Sequence, residues 1–178
     1  MRVGGGELRG RRLDVPPGIR PSEGKVKEAL FSIWTDRLEG ATFLDLFAGS
    51  GAVGLEAVSR GALSATFIEA HRGAATILKR NMKHLPDASW NLRIESVELA
   101  LPALAAAGAR FDLIFLDPPY SRALDEELMT ACAVVLADSG RIAAEHDARA
   151  KPGREVAAMI RIETRRYGES ALSFYGKS

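Results

Sequence analysis

Apolar and polar positions along this chain follow two periods that replace one another. Val26, Ala29, Leu30, Ile33, Trp34 and Leu38 recur at helical spacing behind Ser22, a predicted N-cap, and Gly40 ends the pattern. Short apolar runs of strand length then fall at 42–46, 65–69, 91–95, 111–116 and 140–145, and helical patterns fall between them at 52–59, 73–84, 97–107 and 123–136. Two more strand-like segments, 156–165 and 170–175, follow without a helix between them. Alternation of this kind predicts a parallel sheet with helices on both faces, and the closing pair predicts an antiparallel hairpin at one edge. The expected fold is Rossmann-like α/β with a seven-stranded, mostly parallel sheet. In open sheets of this class, ligands sit beyond the carboxyl ends of the strands.

Residues 1–21 read differently. They are rich in Gly, Pro and Arg, with short apolar stretches at Met1-Arg-Val and Leu13-Asp-Val, and predict a β-hairpin arm too rich in glycine to add much core. The expected organisation is a basic arm at 1–21 and one domain at 22–178.

Composition narrows the class. The 178 residues fit one unit at about 100–200 residues per domain. The single cysteine, Cys132, lies in the apolar run Leu128-Met-Thr-Ala-Cys-Ala-Val-Val-Leu136 and reads as a buried small hydrophobe, so no internal disulfide and no metal site are expected. No apolar stretch reaches the roughly 18 residues of a membrane span, and Met1-Arg-Val-Gly-Gly-Gly-Glu-Leu-Arg-Gly-Arg-Arg12 lacks a signal-peptide core. A soluble, cytoplasmic, monomeric protein is expected.

The net charge of +1 hides a segregation. Residues 1–27 carry seven bases against three acids and residues 150–178 six against three, leaving the middle with 11 against 17. Basic ends on an acidic body suggest that the ends meet a polyanion. Arg2, Arg9, Arg11, Arg12, Arg20 and Lys25, with Lys27 beside them, are the candidate phosphate contacts, and Arg161, Arg165 and Arg166 come next.

Candidate chemistry begins at Phe43-Leu-Asp-Leu-Phe-Ala-Gly-Ser-Gly-Ala-Val-Gly54, which runs from strand to helix through Gly49, Ser50, Gly51 and Gly54. The glycines permit a tight turn and a close approach to a ligand. Gly49-x-Gly51-x-x-Gly54 matches a dinucleotide fingerprint, but Asp45 at the mouth of the turn would repel a pyrophosphate and attract the ammonium and sulfonium of S-adenosylmethionine. Glu69 ends the next strand, where a carboxylate can accept both ribose hydroxyls. Phe47 packs either on the methionine part or in the core.

A second constellation closes the strand Arg110-Phe-Asp-Leu-Ile-Phe-Leu-Asp-Pro-Pro-Tyr120. Pro118 and Pro119 remove two backbone donors and hold the chain extended, so carbonyl oxygens are presented beside Asp117. Acceptors clustered there, with Tyr120 beyond them, suit an exocyclic amine on a flat base that stacks on the ring.

The sequence resembles the amino-methyltransferase group of class I S-adenosylmethionine-dependent enzymes and, more narrowly, the RsmD family, which methylates N2 of a guanine in small-subunit (16S) ribosomal RNA. The marks are Arg2-Val-Gly-Gly-Gly with Leu8-Arg-Gly-Arg-Arg-Leu13, Arg20-Pro-Ser, Val26-Lys-Glu-Ala-Leu-Phe31, Leu44-Asp-Leu-Phe-Ala-Gly-Ser-Gly-Ala-Val-Gly-Leu-Glu-Ala57 with Ser59-Arg-Gly-Ala62, and Asp117-Pro-Pro-Tyr120. The resemblance implies the class I methyltransferase fold, with Asp45, Phe47, Gly49, Ser50 and Gly51 around the methionine part and Glu69 at the ribose. Asp117, Pro118, Pro119 and Tyr120 would face the target base, and 16S ribosomal RNA or the assembling small subunit would be the partner. Where the family often holds the adenine amine with Asp or Asn, this chain has Glu95-Ser-Val-Glu98, so Val97 through its backbone N–H, Glu95 or Ser96 would serve. Two other readings share the residues: transfer to N6 of adenine in DNA, and a non-catalytic ribosome-assembly factor that binds S-adenosylmethionine.

Overall fold

A computed structural model describes residues 1–16, 21–119 and 124–177. Helix α1 (Pro21–Ile33) is followed by a 3-10 turn (Thr35–Arg37), β1 (Thr42–Leu46), α2 (Ala52–Ser59), β2 (Ser64–Ile68) and α3 (Arg72–Met82). A second 3-10 turn (Asp87–Ser89) leads to β3 (Trp90–Arg93), α4 (Val97–Ala106), β4 (Phe111–Leu116), α5 (Glu126–Val135) and β5 (Leu136–Asp147). The chain closes with β6 (Glu155–Val156), β7 (Met159–Tyr167) and β8 (Ser170–Lys177). The sheet order is β3-β2-β1-β4-β5-β8-β7-β6, with β1 to β5 parallel and the last three antiparallel.

Central β1 and β4 are buried on both faces, which is why their sequences are nearly unbroken apolar runs. One core packs α1, α2 and α3 against the sheet, and the other packs α4 and α5 on the opposite face. Trp34 anchors the first core, with edge-on contacts to Phe43 and Phe174 at 6.0 Å each. Among the described residues no helix is long and apolar enough to cross a membrane.

Four features differ from the sequence reading. The sheet has eight strands, because the segment 156–165 is a hairpin: Val156 and Met159 pair across a two-residue turn in which Ala157 takes φ +55°. That turn carries no Gly or Asn, the usual marker of a positive φ. Strand β5 starts at Leu136 because the polar stretch Asp138-Ser-Gly140, which reads as a loop, is an irregularity within the β4–β5 pairing. Helix α1 begins at Pro21, so Ser22 lies inside it; proline's fixed φ favours the first helical position. Finally, α1 stops at Ile33, where the Thr35 hydroxyl bonds the Phe31 carbonyl at 2.8 Å.

The arm also adds to the core, despite its glycines. Arg2 and Arg12 form an antiparallel bridge, and Val3 and Leu13 are each only 2% exposed within the first core. A hairpin needs few apolar residues to join a core if its backbone is held elsewhere. Here the Ser59 hydroxyl donates to the Gly5 carbonyl at 2.7 Å and accepts from the Leu8 N–H at 2.9 Å, and the Glu7 N–H donates to the Ser59 carbonyl at 2.8 Å. Gly6, at φ +75°, lies so close that a Cβ would fall 1.6 Å from the Ser59 carbonyl oxygen, so no other residue fits there.

Candidate active site

Strands β1, β2 and β4 end side by side, Leu46 pairing with Ile68 and with Leu116, so the residues that follow them share one edge of the sheet. From there the chain builds two adjoining cavities. One of about 220 Å³ is lined by Asp45, Phe47, Gly49, Ser50, Asp117 and Glu145. The other, of about 430 Å³, is lined by Phe47, Glu69, Ser96, Val97, Asp117 and Pro119. Phe47 and Asp117 belong to both.

Phe47 turns the chain out of β1 with φ +62°, a left-handed conformation that a bulky residue rarely adopts. The Ala48 N–H bonds the Ile68 carbonyl at 3.0 Å, which holds the turn against β2. Gly49 and Gly51 also have positive φ, 56° and 73°. The loop is tied down from two sides: the Gly49 N–H donates to Glu69 Oε2 at 2.7 Å, and Asn81 Nδ2 donates to the Ser50 carbonyl at 2.9 Å. A Cβ on Gly49 would meet nothing within 4 Å, whereas one on Gly51 would strike Leu78 of α3 at 2.8 Å. Gly49 therefore has open space beside it, and Gly51 is required by helix packing.

The third glycine of the motif serves Asp45. The Gly54 N–H donates to Asp45 Oδ2 at 2.9 Å, and a Cβ on Gly54 would lie 2.4 Å from Phe67 and 3.2 Å from that carboxylate. Asp45 is 2% exposed. Burial pushes its pKa up to about 8 against the lowering effect of the Gly54 hydrogen bond, and the negative charges of Asp117 and Glu69 push it further the same way. A carboxyl shifted this far favours its protonated form near neutrality.

Glu69 lies just past β2, its Oε1 accepting the His71 N–H at 2.7 Å while its Oε2 holds Gly49. Each oxygen retains a further lone pair. Ser96 is the N-cap of α4 without a side-chain cap bond, Val97 is buried behind it, and Glu95 pairs with Arg93. At the end of β4, Asp117 and Pro119 are exposed and Pro118 is buried. Tyr120 and Arg20 lie outside the described residues.

Glu145, near the end of β5, is a lining residue that the sequence reading does not single out, although an acid closing a predicted strand is a usable signal. Lys27 also lines the first cavity, and its role differs from the expected phosphate contact: it is 7% exposed and paired with Glu56, a carboxylate fully buried in α2. The remaining basic residues of the arm, Arg2, Arg9, Arg11 and Arg12, are exposed, as is Lys25 on α1. Arg2 bonds the Gly10 carbonyl at 2.7 Å and Arg11 meets His84 Nδ1 at 2.8 Å. No carboxylate among the described residues pairs with Arg9 or Arg12.

A family model described as conserved hypothetical protein 95 matches residues 1–176. The chain is 41% identical over 147 residues to the ribosomal RNA small subunit methyltransferase D of Escherichia coli (strain K12), covering 82% of this chain and 71% of that protein. It is 34% identical over 183 residues to the putative rRNA methyltransferase YlbH of Bacillus subtilis (strain 168), covering 99% of each. The solved structure of the putative methyltransferase yhhF from Escherichia coli matches with a TM-score of 0.86 at 34% identity, covering 100% of this chain and 98% of that one. A sheet of this order with this loop and these carboxylates at its edge defines a class I methyltransferase. Within that class, the chain belongs to the conserved hypothetical protein 95 family, the RsmD family.

Proposed function

We propose that this chain transfers a methyl group from S-adenosylmethionine to the exocyclic N2 amine of a guanine in 16S ribosomal RNA. The observation that carries the reading is the convergence of Asp45, Glu69 and Asp117 on one cleft, where burial first, and then repulsion from Asp117 and Glu69, opposes ionisation of Asp45. A cationic ligand relieves that repulsion, whereas a pyrophosphate would add to it. The open space at Gly49 fits the same ligand, since the loop approaches it there without a side chain. When bound, S-adenosylmethionine supplies an electrophilic methyl group carried on a sulfonium.

The chain's own residues do the rest. Asp45, Phe47, Gly49, Ser50 and Gly51 shape the methionine end, with Asp45 ionising as the ammonium arrives. Glu69 accepts the ribose hydroxyls while keeping Gly49 in place, and Ser96 and Val97 flank the adenine. Asp117 and the Pro118 carbonyl accept the hydrogens of the target amine, which favours a tetrahedral nitrogen and stabilises the positive charge that develops on it. Pro119 and Tyr120 border the base. Asp117 or water takes the released proton.

Two of the similar proteins above carry ribosomal RNA in their names, and the exposed arginines of the arm suit a phosphate backbone; both favour RNA over adenine in DNA. The reading places the protein in the cytoplasm as a monomer acting on 16S ribosomal RNA or the assembling small subunit. The test is methyl-labelled S-adenosylmethionine offered to small-subunit particles, to their naked RNA and to DNA. N2-methylguanosine in 16S RNA, lost on Asp117→Ala with cofactor binding retained, is the expected result. Label in DNA adenine, or full activity of Asp117→Ala, would overturn it.

A further inference from the structure

A third cavity lies away from the loop and the carboxylates, on the α4–α5 face of the antiparallel end of the sheet. It measures about 430 Å³ and is walled by Lys151, Arg161 and Arg166, with His146 and Thr164 on its floor. The sequence marks this stretch only as a basic end; the fold makes it concave. The β-bulge between Arg161 and Glu163 shifts the alternation of β7, so that Arg161, Thr164 and Arg166 all line the cavity.

The floor is built from three strands. His146 Nδ1 lies 2.8 Å from the Asp147 carbonyl, which can only accept, so Nδ1 carries the proton. In the neutral ring Nε2 then accepts from the Ser173 hydroxyl at 2.8 Å, and Ser173 in turn accepts from Thr164 at 2.7 Å. This chain uses the hydroxyl hydrogens internally and leaves recognition to the walls. Burial, with Arg161 close by, holds His146 below its ordinary pKa, so the floor stays neutral at pH 7.

The walls are left cationic by their neighbours. Asp147 is taken by Arg149 and Glu163 by Arg165, and no carboxylate among the described residues pairs with Lys151, Arg161 or Arg166. Arg161 is fixed across the cavity by its bond to the Pro152 carbonyl, with its other N–H groups available. Three cations around a neutral, hydrogen-bonded floor match a phosphodiester.

Position selects the source of that phosphodiester. Leu116 pairs with Ala144, so two residues further along Pro118 is level with His146. Strand β7 lies three strand spacings from β4, on the order of 15 Å. The arm packs on α2 and α3, across the sheet from this cavity, so Asp117 lies between two basic surfaces. We propose that this cavity binds a backbone phosphate of the substrate RNA a few nucleotides from the target base, as the second point of a two-sided grip. The proposal rests on the RNA reading above.

The experiment uses the full chain with Lys151→Ala/Arg166→Ala, two exposed side chains without a hydrogen bond or ion pair among the described residues, and with Arg154→Ala as a nearby cation outside the cavity. Binding of transcribed small-subunit RNA is measured across salt concentrations, beside steady-state methylation and S-adenosylhomocysteine binding. The double variant should lower the log–log salt slope by roughly 0.7–0.9 per phosphate no longer held and raise KM several-fold, with kcat and cofactor affinity unchanged. A wild-type slope and KM in the double variant would overturn the proposal, as would an equal loss in Arg154→Ala, which would reduce the effect to general charge. Wild-type protein that binds this RNA without methylating it would instead overturn the proposed reaction, and the slope would still read the cavity.

Discussion

Asn81 and Asp14, 67 residues apart, exchange two hydrogen bonds of 2.9 Å: the Asp14 N–H donates to Asn81 Oδ1, and Asn81 Nδ2 donates to the Asp14 carbonyl. The same Nδ2 reaches the Ser50 carbonyl at 2.9 Å. One buried carboxamide on α3 therefore ties the arm to the glycine loop. Asn81→Ala removes three bonds at about 1 kcal/mol each, so a loss of about 2–3 kcal/mol in urea unfolding is expected, with faster proteolysis of the arm. Unchanged stability would show that the carboxamide ties nothing together.

Asp45 makes stability depend on pH. Its carboxyl titrates near 3.8 when unfolded and near 8 when folded, so between those values the folded chain holds a proton that the unfolded chain lacks. Stability due to this group therefore falls as pH rises through that window. Asp45→Asn keeps an acceptor for the Gly54 N–H and carries no charge. Its melting temperature should exceed that of wild type by a margin that grows with pH and levels off above about pH 8, at roughly 2–4 °C per kcal/mol for a chain of this size. In wild type alone, S-adenosylhomocysteine binding near pH 7 should release protons, read as a binding enthalpy that varies with the buffer's ionisation heat.

Glu56 gathers the Gly4 N–H, the Lys27 ammonium and two Arg60 nitrogens around one carboxylate. Removing it strands a buried Lys27, so Glu56→Ala should cost about 3–5 kcal/mol. Lys27→Met should cost roughly half as much, because Arg60 continues to balance the charge. A double-mutant cycle from chemical denaturation measures the coupling.

For Glu69, binding and chemistry should separate. Glu69→Ala removes the anchor of Gly49 together with the proposed ribose contact, and about 2–3 kcal/mol of cofactor affinity should go by calorimetry. Asp117→Ala should bind like wild type and turn over nothing.

Changing Arg9, Arg11 and Arg12 together to Ala should weaken RNA binding, most at low salt, lowering the log–log slope by roughly 0.7–0.9 for each phosphate that the arm releases. Arg11 also leaves His84, so the melting temperature is recorded in parallel. Wild-type binding at every salt concentration would remove the arm from the docking surface.

The parallel half of the sheet was legible because β1 and β4 are buried on both faces and their sequences say so. Asp45, Glu69 and Asp117 were legible because each sits at a strand end, a position fixed by local pattern. What escaped was set by distant partners. Nothing near Ala157 announces a turn, since its positive φ is imposed by the pairing of β6 with β7. Lys27 looks like a surface cation in the sequence because its partner lies 29 residues away, and Gly54 looks like part of a ligand loop although its N–H serves Asp45 and its missing Cβ makes room for Phe67. The arm's share of the core rests on Ser59 and Asn81, which no pattern within residues 1–21 could reveal.

Phe47 bears on how such a protein would respond to selection. A left-handed bulky residue costs on the order of 1–2 kcal/mol that glycine would not, while its ring borders both cavities. On the proposed role of Phe47 at the methionine end, heat tolerance and turnover ask for different residues at one position. A library screened only for survival of heating should accumulate glycine or asparagine at 47 and lose methyl transfer, whereas one screened for turnover should keep an aromatic ring there and offset its strain with substitutions elsewhere.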